Sequence, residues 1–336
     1  MMRERFFEMA VTISEVAEYC GVDVITVQHI LDAGLETVPA EIIRAVTDAA
    51  KALGYVSRRQ NLGVIYVEES NLGLTHPFFS HLLNAFRRRA EESGYNTVFI
   101  QCGENDTGAD YLERCRACRL DGLAIVCGDF NSEAVKELVR SELPCITVDY
   151  MFRRVPAVLS DNETGVQKLV EYAIRRGHKK IAFVHGHNNS VVTKTRISQF
   201  INIMEYYKLP VPEGYLREGL YGNILETRRI VLEMLKMPDR PTCILLPDDL
   251  SYLGAMEAAK ELGLRIPEDI SFAGYDGIPL TQTLTPKLTT IHQNSEEIGI
   301  AAAGRLIDLI EQPAATSRLP IILPVELQEG GTIGRV

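Results

Sequence analysis

The chain has 336 residues, 46% of them hydrophobic and 24% charged, and a net charge of −10. That length suits two or three folding units of ordinary globular composition. The acidic balance excludes a protein that wraps polyanions over its whole surface, and no apolar run approaches the ~18 residues of a membrane-spanning helix.

The first residues, "MMRERFFEMAV", carry Glu4 and Glu8 and lack an apolar core, so they do not read as a secretion signal. Residues 12–53 then read as three short helices. Thr12-Ile13-Ser14-Glu15 has the form of a capping box, in which a Thr hydroxyl serves the N3 amide and a Glu reaches back. Val16, Ala17 and Tyr19 follow at helical spacing, and Gly21 supplies a tight turn. Asp23 suits the N-cap of a second helix over 24–31. A third helix over 40–53 follows Pro39 and stops at Gly54. A helix, a Gly-containing turn and a short second helix form a helix-turn-helix pattern, whose second helix enters the major groove. A generic three-helix bundle is the competing reading.

From residue 62 onward apolar strands alternate with amphipathic helices. Strands are expected at 62–67, 96–101, 122–127, 144–148, 180–185, 242–246 and 270–274, with helices such as 78–92, 164–176, 196–208 and 250–262. Such alternation predicts parallel sheets with helices on both faces. The number of strands suggests two sheets, hence two subdomains and a cleft beyond the carboxyl ends of the strands. Polar residues follow several strands: Ser70 and Asn71, Asp149, Asp248 and Asp249, and Asp276. Carboxylates accept hydrogen bonds from vicinal hydroxyls, which suits sugars and related polyols. Each Asp can equally cap the helix that follows it.

Enzyme signatures are missing. There is no G-x-x-x-x-G-K-[ST] loop, no G-x-S-x-G elbow and no H-E-x-x-H. Seven cysteines, an odd and scattered set, fit reduced cytosolic thiols better than a disulfide framework. Cys115 and Cys118 form a C-x-x-C on an expected helix, with no second pair at metal spacing. His185 and His187 end a strand near the cleft, where neutral pocket-lining histidines are the better reading than metal ligands. No catalytic residue, metal or cofactor is expected.

Four stretches carry a resemblance. "TISEVAEYCGVDVITVQHILD" (residues 12–32) resembles the DNA-binding head of the lactose/galactose repressor (LacI/GalR) family. "DNETGVQKLVEYAIRRGHKKIAFVHG" (161–186), "GLRIPEDISFAGYDG" (263–277) and "LTPKLTTIHQ" (284–293) are similar to motifs of that family's core. The resemblance implies an all-α helix-turn-helix head at 11–58, then an α/β core of two parallel-sheet subdomains at 62–336, like a type 1 periplasmic binding protein. Three crossings would give a first lobe of about 62–157 and 287–317, and a second of about 158–286 and 318–336. It further implies a cytoplasmic homodimer, no membrane association, operator DNA as partner and a small polar effector in the cleft. Motif matching nominates Val24, Ile25, Thr26, Gln28 and His29 of the second helix for DNA, with Arg58 and Arg59 facing phosphate. For the effector it nominates Asn71, Asp149, Arg196, Tyr221 as a stacking aromatic, Asp248 where Asn is usual, Asp276 and Gln293. Phe79 lies at a position often near the pocket, although a core role suits it and Phe78 better.

Two departures bear on function. Family members carry about a dozen more residues between the head and the first core strand, forming a hinge helix that wedges into the minor groove. Here only "VSRRQN", residues 56–61, remains, so no hinge helix is expected. Residues 1–59 hold six basic and nine acidic side chains, a net charge of −3. Phosphate neutralisation supplies most non-specific DNA affinity. The rival reading is therefore a cytosolic small-molecule sensor whose DNA binding is weakened or lost.

Overall fold

Thr12 opens the first helix through the expected capping box: its hydroxyl accepts from the Glu15 amide while the Glu15 carboxylate accepts from the Thr12 amide. Helix α1 (Ile13–Cys20) ends at Gly21, whose φ of +68° a side chain would resist. Helix α2 (Val24–Ala33) starts with Asp23 accepting from the Thr26 amide at 2.9 Å. Helix α3 (Ala40–Leu53) closes the unit, and its C-terminal Gly54 is again left-handed. Val16, Ala17, Val27, Ile30, Val46, Ala49 and Ala50 form the core of this head. Each of its larger aliphatic side chains contributes about 1.5–3 kcal/mol by leaving water.

The computed structural model describes residues 11–33, 38–55, 60–67, 75–103 and 106–336. The chain divides into two units, Met1–Gln60 and Asn61–Val336.

The second unit contains two six-stranded sheets. The first is built from β1 (Gln60–Val67), β2 (Tyr95–Cys102), β3 (Leu120–Cys127), β4 (Cys145–Val148), β5 (Ala157–Ser160) and the late strand β11 (Ile321–Leu323), in the order β11-β5-β4-β3-β1-β2. Helices α4 (Pro77–Glu92), α5 (Gly108–Ala117), α6 (Glu133–Arg140) and α12 (Ser295–Glu311) pack on it. The second sheet comprises β6 (Ile181–His185), β7 (Leu216–Glu218), β8 (Cys243–Leu245), β9 (Ser271–Asp276), β10 (Thr289–Gln293) and β12 (Val325–Gln328). Their order is β12-β10-β9-β8-β6-β7, and only β12 is recorded as antiparallel to its neighbour. Helices α7 (Asn162–Arg175), α8 (Val191–Tyr206), α9 (Ile224–Leu235) and α10 (Ser251–Glu261) cover its faces, and the short α11 (Pro279–Gln282) follows β9. Central strands β4, β6, β8 and β9 are buried along their whole length, as parallel strands covered on both faces must be.

The chain crosses between the sheets three times, at Asp161, Asn294 and Pro324. These crossings fall a few residues later than the sequence places them. β5 and β11 pair with each other in the first sheet, so 158–160 and 321–323 belong there. β10 pairs with β9 and β12, so 289–293 belong to the second sheet. In each case a short apolar strand completes its ladder before the chain changes lobe. Among the described residues, no helix is long and apolar enough to cross a membrane.

Candidate functional site

Arg196 lies on α8 and is buried. A buried guanidinium needs partners for its donors. Its Nε donates to Asn162 Oδ1 at 2.8 Å, and one terminal nitrogen donates to the Pro247 carbonyl at 3.1 Å. The plane stacks on Tyr275, with Cζ 3.5 Å from the ring centroid. Burial opposes its charge, but Tyr275, Tyr221, Asp276 and Asp149 raise its pKa on balance. Asn162 is the first residue of α7, directly after the first crossing, and its own amide nitrogen donates to the Ser160 carbonyl.

Asp276 ends β9 with φ of +114°, a conformation that costs a non-glycine residue about 1–3 kcal/mol. Its Oδ1 accepts from Gln293 Nε2 at 2.7 Å, and its Oδ2 lies 4.0 Å from His76 Nε2. Burial, then repulsion from Asp248 and Asp249, pushes its pKa well above the usual carboxylate range, against the pull of Arg196 and Gln293. Gln293 sits at the second crossing and is buried; its Oε1 has no partner among the described residues. Asp149, after β4, is half-buried at φ of +59°. Burial raises its pKa, while Arg196 and the Ser160 amide lower it. Tyr221 bonds through its hydroxyl to Thr193 Oγ1 at 2.8 Å. Its ring lies so close to Gly186 that a Cβ there would come within 2.1 Å of it.

The helix-capping reading describes Asp248. It is buried, its Oδ1 accepts from the Ser251 amide at 2.8 Å, and its Oδ2 accepts from the Gly222 amide at 2.5 Å and the Ser251 hydroxyl at 3.1 Å. The carboxylate thus fastens α10 to the turn before α9. Asp249 ties two more segments, accepting from Ile278 N and Thr281 Oγ1 at α11 and from Thr290 Oγ1 on β10. Burial lifts its pKa to about 7, and those hydrogen bonds pull it back only in part.

Arg196, Asp276 and Gln293 are therefore brought together, with Asp149 and Tyr221 electrostatically coupled to Arg196. Phe79 is half-buried, edge-on to both Phe78 and His76, with Phe78 in the core of the first lobe. Asn71 lies outside the described residues. Two participants escape the sequence reading. Asn162 stands inside the matched "DNETG" stretch without an evident role, and His76 belongs to the "HP" turn ahead of the phenylalanines. His76 caps α4, its Nδ1 accepting from the Phe78 amide at 3.3 Å. Burial lowers its pKa, against the raising effect of Asp248, which favours the neutral ring.

Cys115 is buried in the core of the first lobe. His185 is buried beside Phe183, with Nδ1 2.8 Å from the Gly186 carbonyl oxygen, while exposed His187 lies 3.6 Å from Glu218. On the head, Val24 and Ile25 are exposed at the start of α2 (44% and 68%), Gln28 is exposed, Thr26 is half-buried and Val27 is core. The α2 backbone includes His29, whereas Arg58 and Arg59 lie outside the described residues.

Residues 170–333 match the model of a periplasmic binding protein-like domain. The HTH-type transcriptional repressor PurR of Vibrio parahaemolyticus is 28% identical over 322 residues, covering 92% of this chain and 94% of the relative. The repressor of the same name from Haemophilus influenzae is 28% identical over 313 residues, 89% of this chain and 91% of its own. A crystal structure of the lac repressor dimer bound to operator and the anti-inducer ONPF superposes with a TM-score of 0.73. It is 26% identical in sequence, and the match covers 97% of this chain and all of that one. A two-lobed core that brings Arg196, Asp276 and Gln293 together, a helix-turn-helix head and these relatives lead to one conclusion: the chain is similar to transcriptional repressors of the LacI/GalR type, which are not enzymes.

Proposed function

We propose that the protein is a cytoplasmic, homodimeric repressor. It binds operator DNA through its head and a small, hydroxyl-rich effector, a sugar or sugar derivative, between its lobes. The observation that carries this reading is the grouping of Arg196, Asp276 and Gln293 where the chain crosses between lobes. A ligand held there would bias the angle between the lobes, because Asn162 and Gln293 are themselves crossing residues. Carboxylates accept from hydroxyls, so Asp276 and Asp149 suit a polyol. Tyr221 belongs to the proposed pocket, and Asn71 is assigned to it by resemblance alone. Asp248 supports it indirectly, through the turn it fastens beside Tyr221.

A thermal-shift screen of the full chain over sugars, sugar acids and nucleobases tests the effector class. A polyol should raise the melting temperature in proportion to the logarithm of its excess over Kd. Arg196→Ala and Asp276→Ala should each abolish that shift. An undiminished shift in both variants would move the site elsewhere.

For DNA, the exposed pair Val24 and Ile25 suits contact with thymine methyl groups, and Gln28 a phosphate or adenine edge. His29, Thr26, Arg58 and Arg59 complete the proposed interface. The short connection between Leu53 and Gln60 leaves too few residues for a hinge helix, so the heads would be tethered rather than clamped on the minor groove. A second reading, a sensor that no longer binds DNA, is favoured by the net charge of −3 over residues 1–59. It predicts effector binding without any operator affinity.

A further inference from the structure

We propose that the outer edge of the first sheet, at β11, docks an extended acidic peptide of a partner protein. Arg153, Arg154 and Arg318 meet its carboxylates, and Ile322 with Leu319 meets its apolar side chains. This goes beyond the effector and operator reading and does not depend on it.

β11 ends the sheet, with β5 as its one neighbour among the described residues. The Asp161 amide donates to the Leu323 carbonyl at 3.0 Å, so the backbone of Leu323 faces β5. Alternation along a strand gives Ile321 the same orientation and turns the N–H and C=O of Ile322 to the open side. An open edge of this kind is a template for another strand. Pro320 and Pro324 bracket it and limit the template to a short segment. The side chains alternate as well. Ile321 and Leu323 pack on the core of the first lobe, whereas Ile322 is 60% exposed. Leu319, just ahead of the strand, is 74% exposed.

Cations gather at the start of this edge. Arg153 and Arg154 lie in the turn that leads into β5, and both are exposed. Arg154 takes φ of +74°, where glycine would be unstrained, so the turn keeps an arginine against its backbone preference. One terminal nitrogen of Arg318 donates to the Arg154 carbonyl at 2.9 Å, which holds the two stretches side by side. Arg305 of α12 donates to the Ser317 and Leu319 carbonyls and fixes the same stretch. Elsewhere on the core, Arg88, Arg217 and Arg228 each face a carboxylate. Arg153, Arg154 and Arg318 have no ion-pair partner among the described residues, in a chain whose net charge is −10.

The chemistry of the partner follows from this combination. A nucleic-acid backbone would satisfy the cations but leave Ile322 and Leu319 in water. A second copy of this edge, paired about a two-fold axis, would bring like charges together. An extended chain with acidic residues beside apolar ones answers all three features. It supplies carboxylates for the guanidinium groups, apolar side chains for the strip and a backbone for Ile322.

Fluorescence anisotropy of the full chain tests this with the labelled peptide Glu-Glu-Glu-Val-Thr-Val-Thr-Val, the same peptide with Lys for Glu, and a scrambled DNA duplex. The Glu peptide should bind about tenfold more tightly than the Lys peptide. Arg153→Ser combined with Arg318→Ser should weaken it about tenfold, and Ile322→Ser should weaken it as well. An unchanged melting temperature checks that these exposed substitutions leave the fold intact. Bound peptide should slow amide exchange at Ile322 but not on β2, at the opposite edge of the sheet. No binding, equal affinity for the two peptides, or binding that neither variant weakens overturns the proposal. A duplex that binds more tightly than the Glu peptide and is released by the arginine variant would make the edge a polyanion site, which also overturns it. Self-association that the arginine variant abolishes, without peptide binding, would make it a contact between copies, with the same consequence.

Discussion

Arg196 shows how a single side chain joins chemistry to architecture. Two of its donors are spent on Asn162 and Pro247, and its face is spent on Tyr275, so the fork is fixed before any ligand arrives. The neighbouring Asp248 and Asp249 illustrate how far sequence alone reaches. Both stand at the end of a strand, and both read equally well as caps or as ligand groups. Which oxygens are consumed depends on Gly222, Thr281 and Thr290, all brought in from distant segments. Arg196, Asp276 and Gln293 were legible because each sits inside a motif. His76 and Asn162 were not, because their roles arise only where two lobes meet. Asp249 also carries a pH prediction. Its folded pKa of about 7 exceeds the ordinary carboxylate value, so the folded state binds more protons than the unfolded state between the two. Its contribution to stability is therefore full below about pH 4 and is lost as pH rises through 7. Chemical denaturation of Asp249→Asn should lose that downward component between about pH 4 and 7; an unchanged profile would show that burial does not govern this group.

Helix packing at the element scale depends on a few close approaches. A Cβ on Gly299 of α12 would come within 2.1 Å of the Leu82 carbonyl oxygen on α4, and one on Gly254 of α10 within 2.1 Å of the Ile224 carbonyl oxygen on α9. Both neighbours are backbone, which cannot rotate away. Gly299→Ala should therefore destabilise the core by about 1–3 kcal/mol, read as a lower denaturant midpoint. No loss would mean that the α4–α12 pair adjusts freely. The main strands and helices were legible within a few residues, since long apolar runs and amphipathic stretches carry strong periodic signals. Strands β5, β7, β11 and β12 have only three or four residues each. Too short for a pattern, they are defined by the ladder they complete, and that is why the first and third crossings fall later than the sequence pattern places them.

For the molecule as a whole, the proposed function rests on the crossings between lobes, two of which hold residues of the candidate site. Asn162 adjoins the first and Gln293 the second, so an effector that engages Arg196 and Asp276 acts where the lobes pivot. The opposing consideration is the head. With three more acidic than basic residues over 1–59, it cannot rely on diffuse attraction to phosphate. In the proposed reading its DNA affinity comes from a few well-placed contacts, with Val24 and Ile25 exposed at the start of α2. The decisive measurement is a fluorescence-anisotropy titration of the full chain against its own upstream DNA and a scrambled duplex, at about 50 and 200 mM salt. The account predicts selective binding that weakens as salt rises and that Ile25→Ala reduces. Equal affinity for both duplexes, or no binding at either salt, would contradict it.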